Sequence, residues 1–241
     1  MIPKLIHYCW FGNGEKPDIV LKCIESWKKY MPDYLIVEWN EGNYDYGKCL
    51  YTQQAYEVKK WAFVSDYARF DVLQQFGGIY FDTDVELIKS IPEDILSNSA
   101  FTCMEPSGKV NPGLIFGSEA DTLFLNEMVN LYRNTSFLDN NGQPICKTVN
   151  LFVTEKLTQY GYVEKDIYQE VNGLVIYPSA IFCGFDLDIM EPNISENTIS
   201  VHHYSGTWMN NNIKRKIQNI IKRLVGIKVY RQLLNFKRKL L

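Results

Sequence analysis

Two aspartates in residues 77–84 (GGIYFDTD) have the type and spacing that could bind a metal ion. Asp82 and Asp84 follow a short apolar run, and residues i and i+2 of an extended chain point to the same face. We therefore expect both carboxylates to bind one divalent cation where a buried strand ends, the edge at which open α/β sheets bind ligands. Carboxylates suit Mg²⁺ or Mn²⁺, and a cation held by only one or two of them keeps coordination sites for a diphosphate.

The spacing of these aspartates is weak evidence by itself, because 13 aspartates in this chain give about 0.7 such pairs by chance. Asp186 and Asp188 form a second pair. The context adds weight to the first pair, since the preceding helical segment carries Ser65, Asp66 and Arg69. Asp66 and Arg69 are i, i+3 neighbours. They form either a surface ion pair of little energetic value or a group whose guanidinium reaches a phosphate or sugar hydroxyl.

Two further places carry residues suited to ligand binding. Residues 202–208 (HHYSGTW) follow an apolar run. Histidine can complete a metal shell, serine can bind a metal or a phosphate, and tryptophan can cover a ring. Trp10, in the loop after the first apolar run, either offers a flat surface to a nucleotide base or is a core aromatic residue.

The pattern of apolar residues predicts the elements that position these groups. A strand at 4–10, a helix at 17–30 and a strand at 34–39 indicate a right-handed βαβ unit and an α/β sheet. A helix from residue 61 ends at Gly77 and Gly78, and a strand at 79–81 follows. Further predicted strands are 100–104, 114–116, 174–177 and 199–202, and further predicted helices are 121–132 and about 147–160.

Length and composition limit the class of protein. The chain has 241 residues, of which 46% are hydrophobic and 22% charged, as in an ordinary globular protein. No stretch approaches the roughly 18 apolar residues of a membrane span. The six cysteines lack zinc-type spacing. We expect a cytoplasmic protein with one α/β domain over residues 1–212 and a separate tail over residues 213–241.

The predicted tail differs in charge from the rest of the chain. Residues 213–241 hold ten Lys or Arg and no Asp or Glu, whereas residues 1–212 hold 15 basic against 28 acidic residues, a net charge of −13. Apolar residues recur in the tail at near-helical spacing, which is typical of a basic amphipathic helix on an anionic membrane surface. The alternative is a helix packed on its own domain. Nucleic-acid binding is not expected, because the body is acidic.

Four segments in the same order resemble the family-32 glycosyltransferases, the sugar-transferase family with a DXD region. They are residues 3–12 (PKLIHYCWFG), 65–69 (SDYAR), 77–84 and 202–208, and the similarity spans roughly residues 2–208. This family includes polysaccharide-assembly enzymes and, more distantly, the glucosylating domains of large clostridial toxins. The resemblance implies a GT-A fold and transfer of a sugar from a nucleotide-sugar with retention of anomeric configuration.

The resemblance also implies roles for the donor-binding residues. Trp10 would stack on the base, and Asp66 and Arg69, beside Ser65, would hold the donor sugar and its phosphates. Asn111 falls where relatives place a polar residue near the sugar.

The resemblance assigns the remaining site residues to the metal and the diphosphate. Asp82 would contact ribose and metal, and Asp84 would coordinate Mn²⁺ or Mg²⁺. His203 and Ser205 would complete the metal and diphosphate shell, and Trp208 would donate to the β-phosphate as a lid. The expected catalytic residues are Asp66, Arg69, Asp82, Asp84 and Trp208.

The chemistry expected is loss of a nucleoside diphosphate from the anomeric carbon, with the developing charge stabilised by a divalent metal and donors such as Arg69 or Trp208. No carboxylate nucleophile stands at a fixed spacing, so we favour a same-face mechanism in which the leaving phosphate helps to deprotonate the acceptor. We favour a UDP-sugar, with galactose as the hexose, and a lipid-linked glycan acceptor in capsule, exopolysaccharide or lipopolysaccharide assembly.

Two other classes fit parts of the sequence. A phosphatase of the haloacid dehalogenase type would explain an apolar strand followed by D-x-D-x-V at residues 79–85, but its later lysine and G-D-x-x-x-D cluster have no convincing place. A noncatalytic membrane-binding or carbohydrate-binding protein is the third class.

Overall fold

The computed structural model describes residues 1–186, 189, 191–205, 222, 225, 226, 229 and 230. The strands in this part of the chain are β1 (Leu5–Cys9), β2 (Leu35–Trp39), β3 (Gly78–Tyr80), β4 (Val85–Leu87), β5 (Ala100–Cys103), β6 (Phe116–Ser118), β7 (Gln169–Val171), β8 (Leu174–Tyr177), β9 (Phe185–Asp186), β10 (Glu191–Pro192) and β11 (Ser200–His202). The helices are α1 (Asp18–Tyr30), α2 (Leu50–Glu57), α3 (Trp61–Phe76), α4 (Glu93–Leu96), α5 (Leu123–Arg133), α6 (Val149–Thr158) and α7 (Ser179–Phe182), with a 3₁₀ turn at Tyr46–Lys48.

The main sheet has seven strands in the order β2-β1-β3-β6-β5-β8-β7. The pairs β1–β2, β1–β3 and β5–β8 are parallel, and the other three pairs are antiparallel. This mixed sheet, flanked by helices, confirms the predicted α/β class. The predicted βαβ unit is also present as β1, α1 and β2, because β1 pairs with β2 in parallel.

A second, two-stranded sheet brings distant segments together. Strand β11 pairs antiparallel with β4, with His202 opposite Val85. Helix α1 packs against this region through Trp27, whose indole stacks on Phe81 with ring centroids 5.4 Å apart and donates to the carbonyl of Val85 at 2.8 Å. The pairing therefore fixes residues 202–205 beside the end of the D-x-D segment.

Helix α3 ends at two glycines that the backbone requires. Gly77 has φ +60° and Gly78 has φ +109°, a region that L side chains rarely adopt. A Cβ on Gly78 would also lie 2.8 Å from the carbonyl oxygen of Leu5 and 2.9 Å from Nε2 of His7. The chain can therefore turn directly from α3 into β3 only with glycine at this point.

Several predicted element boundaries differ from the structure. Residues 114–116 were expected as a strand, but β6 begins at Phe116, after a turn over residues 112–114. Helix α2 has no counterpart among the predicted elements. The segment from Asp82 to Asp84 was expected to be extended, but it turns, and the amide of Val85 donates to the carbonyl of Asp82 at 3.1 Å.

The described part of the tail contacts the body. Lys222 is buried, donates to the carbonyl of Ile189 at 2.7 Å and lies 3.5 Å from Glu191. Tyr230 is also buried. The boundary proposed at residue 212 and most of residues 213–241 lie outside the described residues. Among the described residues, no helix is long and apolar enough to span a bilayer.

Candidate functional site

A cavity of about 510 Å³ opens where β1 and β3 end, which is a volume typical of small-ligand sites. It gathers residues from β1, α3, the D-x-D segment, the loop after β5, the start of α6 and β11. The residues proposed from sequence that line it are Trp10, Ser65, Asp66, Arg69, Asp82, Asp84 and Asn111. Trp208 lies outside the described residues.

Asp66 and Arg69 form a buried pair at the base of the cavity. Arg69 is only 3% exposed, and its Nη2 lies 2.8 Å from Asp66 and 3.3 Å from Asp82. Its guanidinium carbon lies 4.8 Å from the centre of the Tyr80 ring. The hypothesis of a surface ion pair is therefore wrong. Arg69 holds two carboxylates in place, and breaking a buried pair of this kind leaves an uncompensated charge.

Burial also changes the proton affinity of this pair. Burial raises the pKa of Asp66 to about 7, against the opposing effects of Arg69 and of the backbone N–H of Val149 at the start of α6. Burial lowers the pKa of Arg69, but the charge of Asp82 and other neighbours outweighs it, so the guanidinium stays charged. Nη1 of Arg69 is buried and has no hydrogen-bond partner among the described residues.

Asp84 accepts three hydrogen bonds from the last residue of β11 and the segment that follows it. His202 Nε2 lies 2.9 Å from one carboxylate oxygen, and the amide and hydroxyl of Ser205 donate to the other at 2.8 and 2.9 Å. Burial raises the pKa of Asp84, but His202 and Ser205 outweigh it and hold that pKa well below its usual range. Asp84 is therefore an ionised carboxylate with a fixed orientation.

The structure points the His203 side chain away from the Asp84 carboxylate, although the His203 amide donates to the Asp84 carbonyl at 2.9 Å. His203 Nε2 lies 2.8 Å from Glu86, which also forms an ion pair with Lys22 at 2.8 Å. His202 faces Asp84 instead, because neighbouring residues of an extended segment point to opposite sides. The sequence motif contains both histidines, and only the pairing of β11 with β4 distinguishes them.

The donor set fits a hard divalent cation that binds together with a diphosphate. Asp82 and Asp84 both line the cavity even though the segment between them turns. Within the described part of the chain, no group of three or more His, Cys, Asp or Glu side chains could hold a metal ion. Mg²⁺ and comparable cations are commonly held by one or two carboxylates plus substrate phosphates, so two aspartates suffice for such a site.

Aromatic residues form another part of the cavity lining. Trp10 is half-buried, and its indole donates to the carbonyl of Gly14 at 2.7 Å. Gly12 has φ +95°, and a Cβ there would lie 2.5 Å from Nε1 of Trp61. The rings of Trp10 and Trp61 both line the cavity and give it flat aromatic surfaces.

Two polar residues of the cavity lining, Glu105 and Asn150, were not predicted from the sequence, and both contact the predicted Asn111 or its partner. Asn111 is buried, donates to Glu105 at 2.8 Å and accepts from the amide of Gly113 at 2.9 Å. Asn150, at the start of α6, donates to the same Glu105 oxygen at 3.1 Å. Glu105 directly follows a predicted strand, which is a usable signal, whereas nothing in the sequence distinguishes Asn150.

Comparison with known proteins is informative over part of the chain. Residues 17–102 match a family model described as a glycosyltransferase sugar-binding region containing a DXD motif. This region resembles that of sugar transferases. The match contains Asp66, Arg69, Asp82 and Asp84, and it covers less than half of the chain.

The structural comparison found a similar chain described as PaToxG glycosyltransferase. It has 20% sequence identity and a TM-score of 0.46, and the alignment covers 66% of this chain and 68% of that one. A search of curated proteins gave no match.

Proposed function

We propose that this protein is a metal-dependent, retaining glycosyltransferase of the GT-A type. Its substrate would be a nucleotide-sugar, with UDP-galactose as the favoured donor, and its acceptor a glycan. One observation carries the proposal: Asp82 and Asp84, inside the region similar to sugar transferases, converge on a cavity that also contains the buried Asp66–Arg69 pair. The same cavity offers aromatic rings to a base and carboxylates to a cation and a sugar.

Each residue has a distinct part in this proposal. Trp10 stacks on the base, and Asp82 and Asp84 hold Mn²⁺ or Mg²⁺. Ser205, whose hydroxyl already donates to Asp84, completes the polar surroundings of the cation. When bound, the cation supplies positive charge to the departing diphosphate. Arg69 keeps Asp66 and Asp82 oriented, and preorganised groups of this kind need no rearrangement during the reaction.

The reaction breaks the bond between the anomeric carbon and the diphosphate oxygen. A bond to the acceptor oxygen forms on the same face, and the acceptor proton passes to the departing phosphate. Arg69 orients Asp66 and Asp82, and His202 and Ser205 orient Asp84. These three carboxylates therefore bind the donor and its cation, and none of them acts as a nucleophile. Trp208 is proposed as a further donor to the β-phosphate on the sequence resemblance alone, as is His203 in the metal shell.

The biological setting is part of the proposal. A lipid-linked oligosaccharide acceptor in capsule, exopolysaccharide or lipopolysaccharide assembly would place the enzyme on the inner face of the plasma membrane. The nine basic residues of the tail other than the buried Lys222 support this location, since each basic residue near an anionic leaflet contributes about 1 kcal/mol.

Nucleotide binding tests the function directly. Thermal unfolding is measured with UDP, GDP and inorganic phosphate, each with and without MnCl₂. We expect one nucleoside diphosphate to raise Tm by roughly 5 °C at 100 times its Kd, only with manganese. The double variant Asp82→Ala/Asp84→Ala should lose this shift, because it removes both carboxylates from the cavity.

The matched control removes two exposed carboxylates outside the cavity, in the variant Asp33→Ala/Glu164→Ala, and should keep the shift. A phosphate response without a nucleotide response would favour the phosphatase class. A wild-type protein that binds no nucleoside diphosphate with manganese, or a double-alanine variant that binds as before, would disprove the proposed function.

A further inference from the structure

Glu105 is the centre of a hydrogen-bond network on the cavity wall. Its Oε1 accepts from the side-chain amides of Asn111 at 2.8 Å and Asn150 at 3.1 Å, and the hydroxyl of Tyr204 lies 3.5 Å away. Two amide donors on one oxygen fix the rotation of a carboxylate. Glu105 is therefore a preorganised group rather than a flexible surface side chain.

The second carboxylate oxygen of Glu105 has a different environment. Within the described ranges, no hydrogen bond reaches Oε2, and no Lys, Arg or His nitrogen lies within ion-pair distance of Glu105. Oε2 is not among the buried side-chain oxygens, and Glu105 lines the cavity. A carboxylate oxygen is an acceptor only, so its complement in a ligand is an N–H or O–H donor.

The network also fixes where Glu105 lies relative to the rest of the site. On one side, Asn111 accepts from the amide of Gly113, whose carbonyl accepts from the amide of Asp82 at 2.8 Å. On the other side, Asn150 follows Val149, whose backbone N–H lowers the pKa of Asp66. Glu105 is thus linked through short chains of contacts to both carboxylates that Arg69 holds.

We propose that Oε2 of Glu105 accepts hydrogen bonds from hydroxyl groups of the sugar being transferred and so helps to select the donor. This inference rests on the proposed function. A hexose has several hydroxyl donors, whereas the phosphates of the donor are acceptors, which an anionic carboxylate disfavours. A contact with the ribose hydroxyls instead would weaken the sugar nucleotide and its free diphosphate equally. A site that hydrogen-bonds a substrate hydroxyl also discriminates strongly against analogues that lack it.

The variant Glu105→Gln tests this role with little change of shape. The glutamine oxygen can still accept from Asn111 and Asn150, while an NH₂ group replaces Oε2 and turns an acceptor into a donor. Binding is measured by calorimetry in MnCl₂ for UDP-galactose, UDP-glucose, UDP-N-acetylglucosamine and GDP-mannose, each against its free nucleoside diphosphate. We expect the affinity for the tightest sugar nucleotide to fall about tenfold, with the affinity for its nucleoside diphosphate unchanged within about twofold.

A control and a second variant keep the result interpretable. Glu164→Gln changes an exposed carboxylate outside the cavity and should alter neither affinity. Should Glu105→Gln unfold, Glu105→Asp keeps the charge, withdraws the carboxylate by one methylene and should show the same selective loss. Equal losses for the sugar nucleotide and the free diphosphate, or no loss, would refute the role of Glu105 while leaving the proposed function intact. Absence of nucleotide binding by the wild-type protein would contradict both the role of Glu105 and the proposed function.

Discussion

Asp82 is held on several sides by residues that leave its carboxylate little room. Arg69 lies 3.3 Å away, Tyr80 donates to the same oxygen at 3.2 Å, and the amide of Asp82 donates to the carbonyl of Gly113 at 2.8 Å. A Cβ on Gly113 would lie 1.9 Å from Oδ2 of Asp82 and 3.0 Å from Nη1 of Arg69. Glycine is therefore required here by close approach, without a positive φ.

We expect Gly113→Ala to displace Asp82 and to weaken manganese-dependent binding of nucleoside diphosphate by tenfold or more, measured by calorimetry. Overpacking of a close-packed site also costs about 1–3 kcal/mol of stability, measured by urea unfolding. The matched control is Gly14→Ala, because a Cβ on Gly14 meets nothing within 4 Å although Gly14 lines the same cavity. Equal binding by both variants would show that the position of Asp82 does not matter.

At the scale of residues, the sequence identified which side chains belong to the site better than it identified which side chains they contact. Asp66 and Arg69 were predicted neighbours from their i, i+3 spacing, and they lie 2.8 Å apart. Their burial was not predictable, because it depends on α3 being covered on both sides. The resemblance selected His203 for the metal shell, whereas the side chain that faces Asp84 is His202. A shift of one residue in strand register exchanges the sides on which these neighbours lie.

At the scale of elements, His7 joins β1, β2 and the turn after α3. Its Nε2 lies 2.8 Å from the carbonyl of Gly77, and its Nδ1 accepts from the indole of Trp39 at 3.1 Å. A carbonyl accepts and an indole donates, so these partners select the neutral tautomer with the proton on Nε2. Burial lowers the pKa of His7 from 6.5, against the opposing effect of the Gly77 carbonyl.

This tautomer makes the stability of the fold pH-dependent. The unfolded chain takes up a proton on His7 below pH 6.5 and the folded chain does not, so the free energy of unfolding falls as pH drops below 6.5. The slope from this residue is at most about 1.4 kcal/mol per pH unit. Urea unfolding at pH 7, 6 and 5 should show a steeper loss for the wild-type protein than for His7→Gln. Parallel profiles would contradict the assigned tautomer.

Elements with a long or regular apolar pattern were predictable from the sequence. The ranges predicted for β1, α1, β2, α3 and β8 agree with the structure within a few residues. Helix α2 was missed because eight residues of mixed character give no clear period. The turn at Asp82–Asp84 was missed because the pairing of β4 with β11, which the local sequence does not encode, directs the chain away from the main sheet.

At the scale of the whole molecule, the tail at residues 213–241 both contacts the rest of the chain and carries an excess of positive charge. Lys222 is buried against Ile189, so at least this residue supports the packed alternative. Val225 and Val229, one helical turn apart in sequence, are 38% and 46% exposed and remain available to another surface. Packing through one side and membrane binding through other residues are compatible.

We expect replacement of all basic residues in 213–241 except Lys222 by glutamine to weaken binding to anionic vesicles by tenfold or more, measured by cosedimentation. Electrostatic attraction to the vesicle surface is lost while the buried Lys222 contact is kept. Thermal unfolding and manganese-dependent nucleotide binding should not change. Neutral phosphatidylcholine vesicles serve as the control surface. Undiminished binding to anionic vesicles would exclude the tail as the membrane contact.

The sequence by itself determined the α/β class, most long elements and the position of two aspartates just after a strand. These features depend on local periodicity and on short spacing along the chain. Only the tertiary structure decided which groups meet. His202 and Asp84 lie 118 positions apart, and Glu105 and Asn150 lie 45 apart. Such contacts depend on strand pairing and loop closure. Spacing along the sequence does not specify the geometry of either.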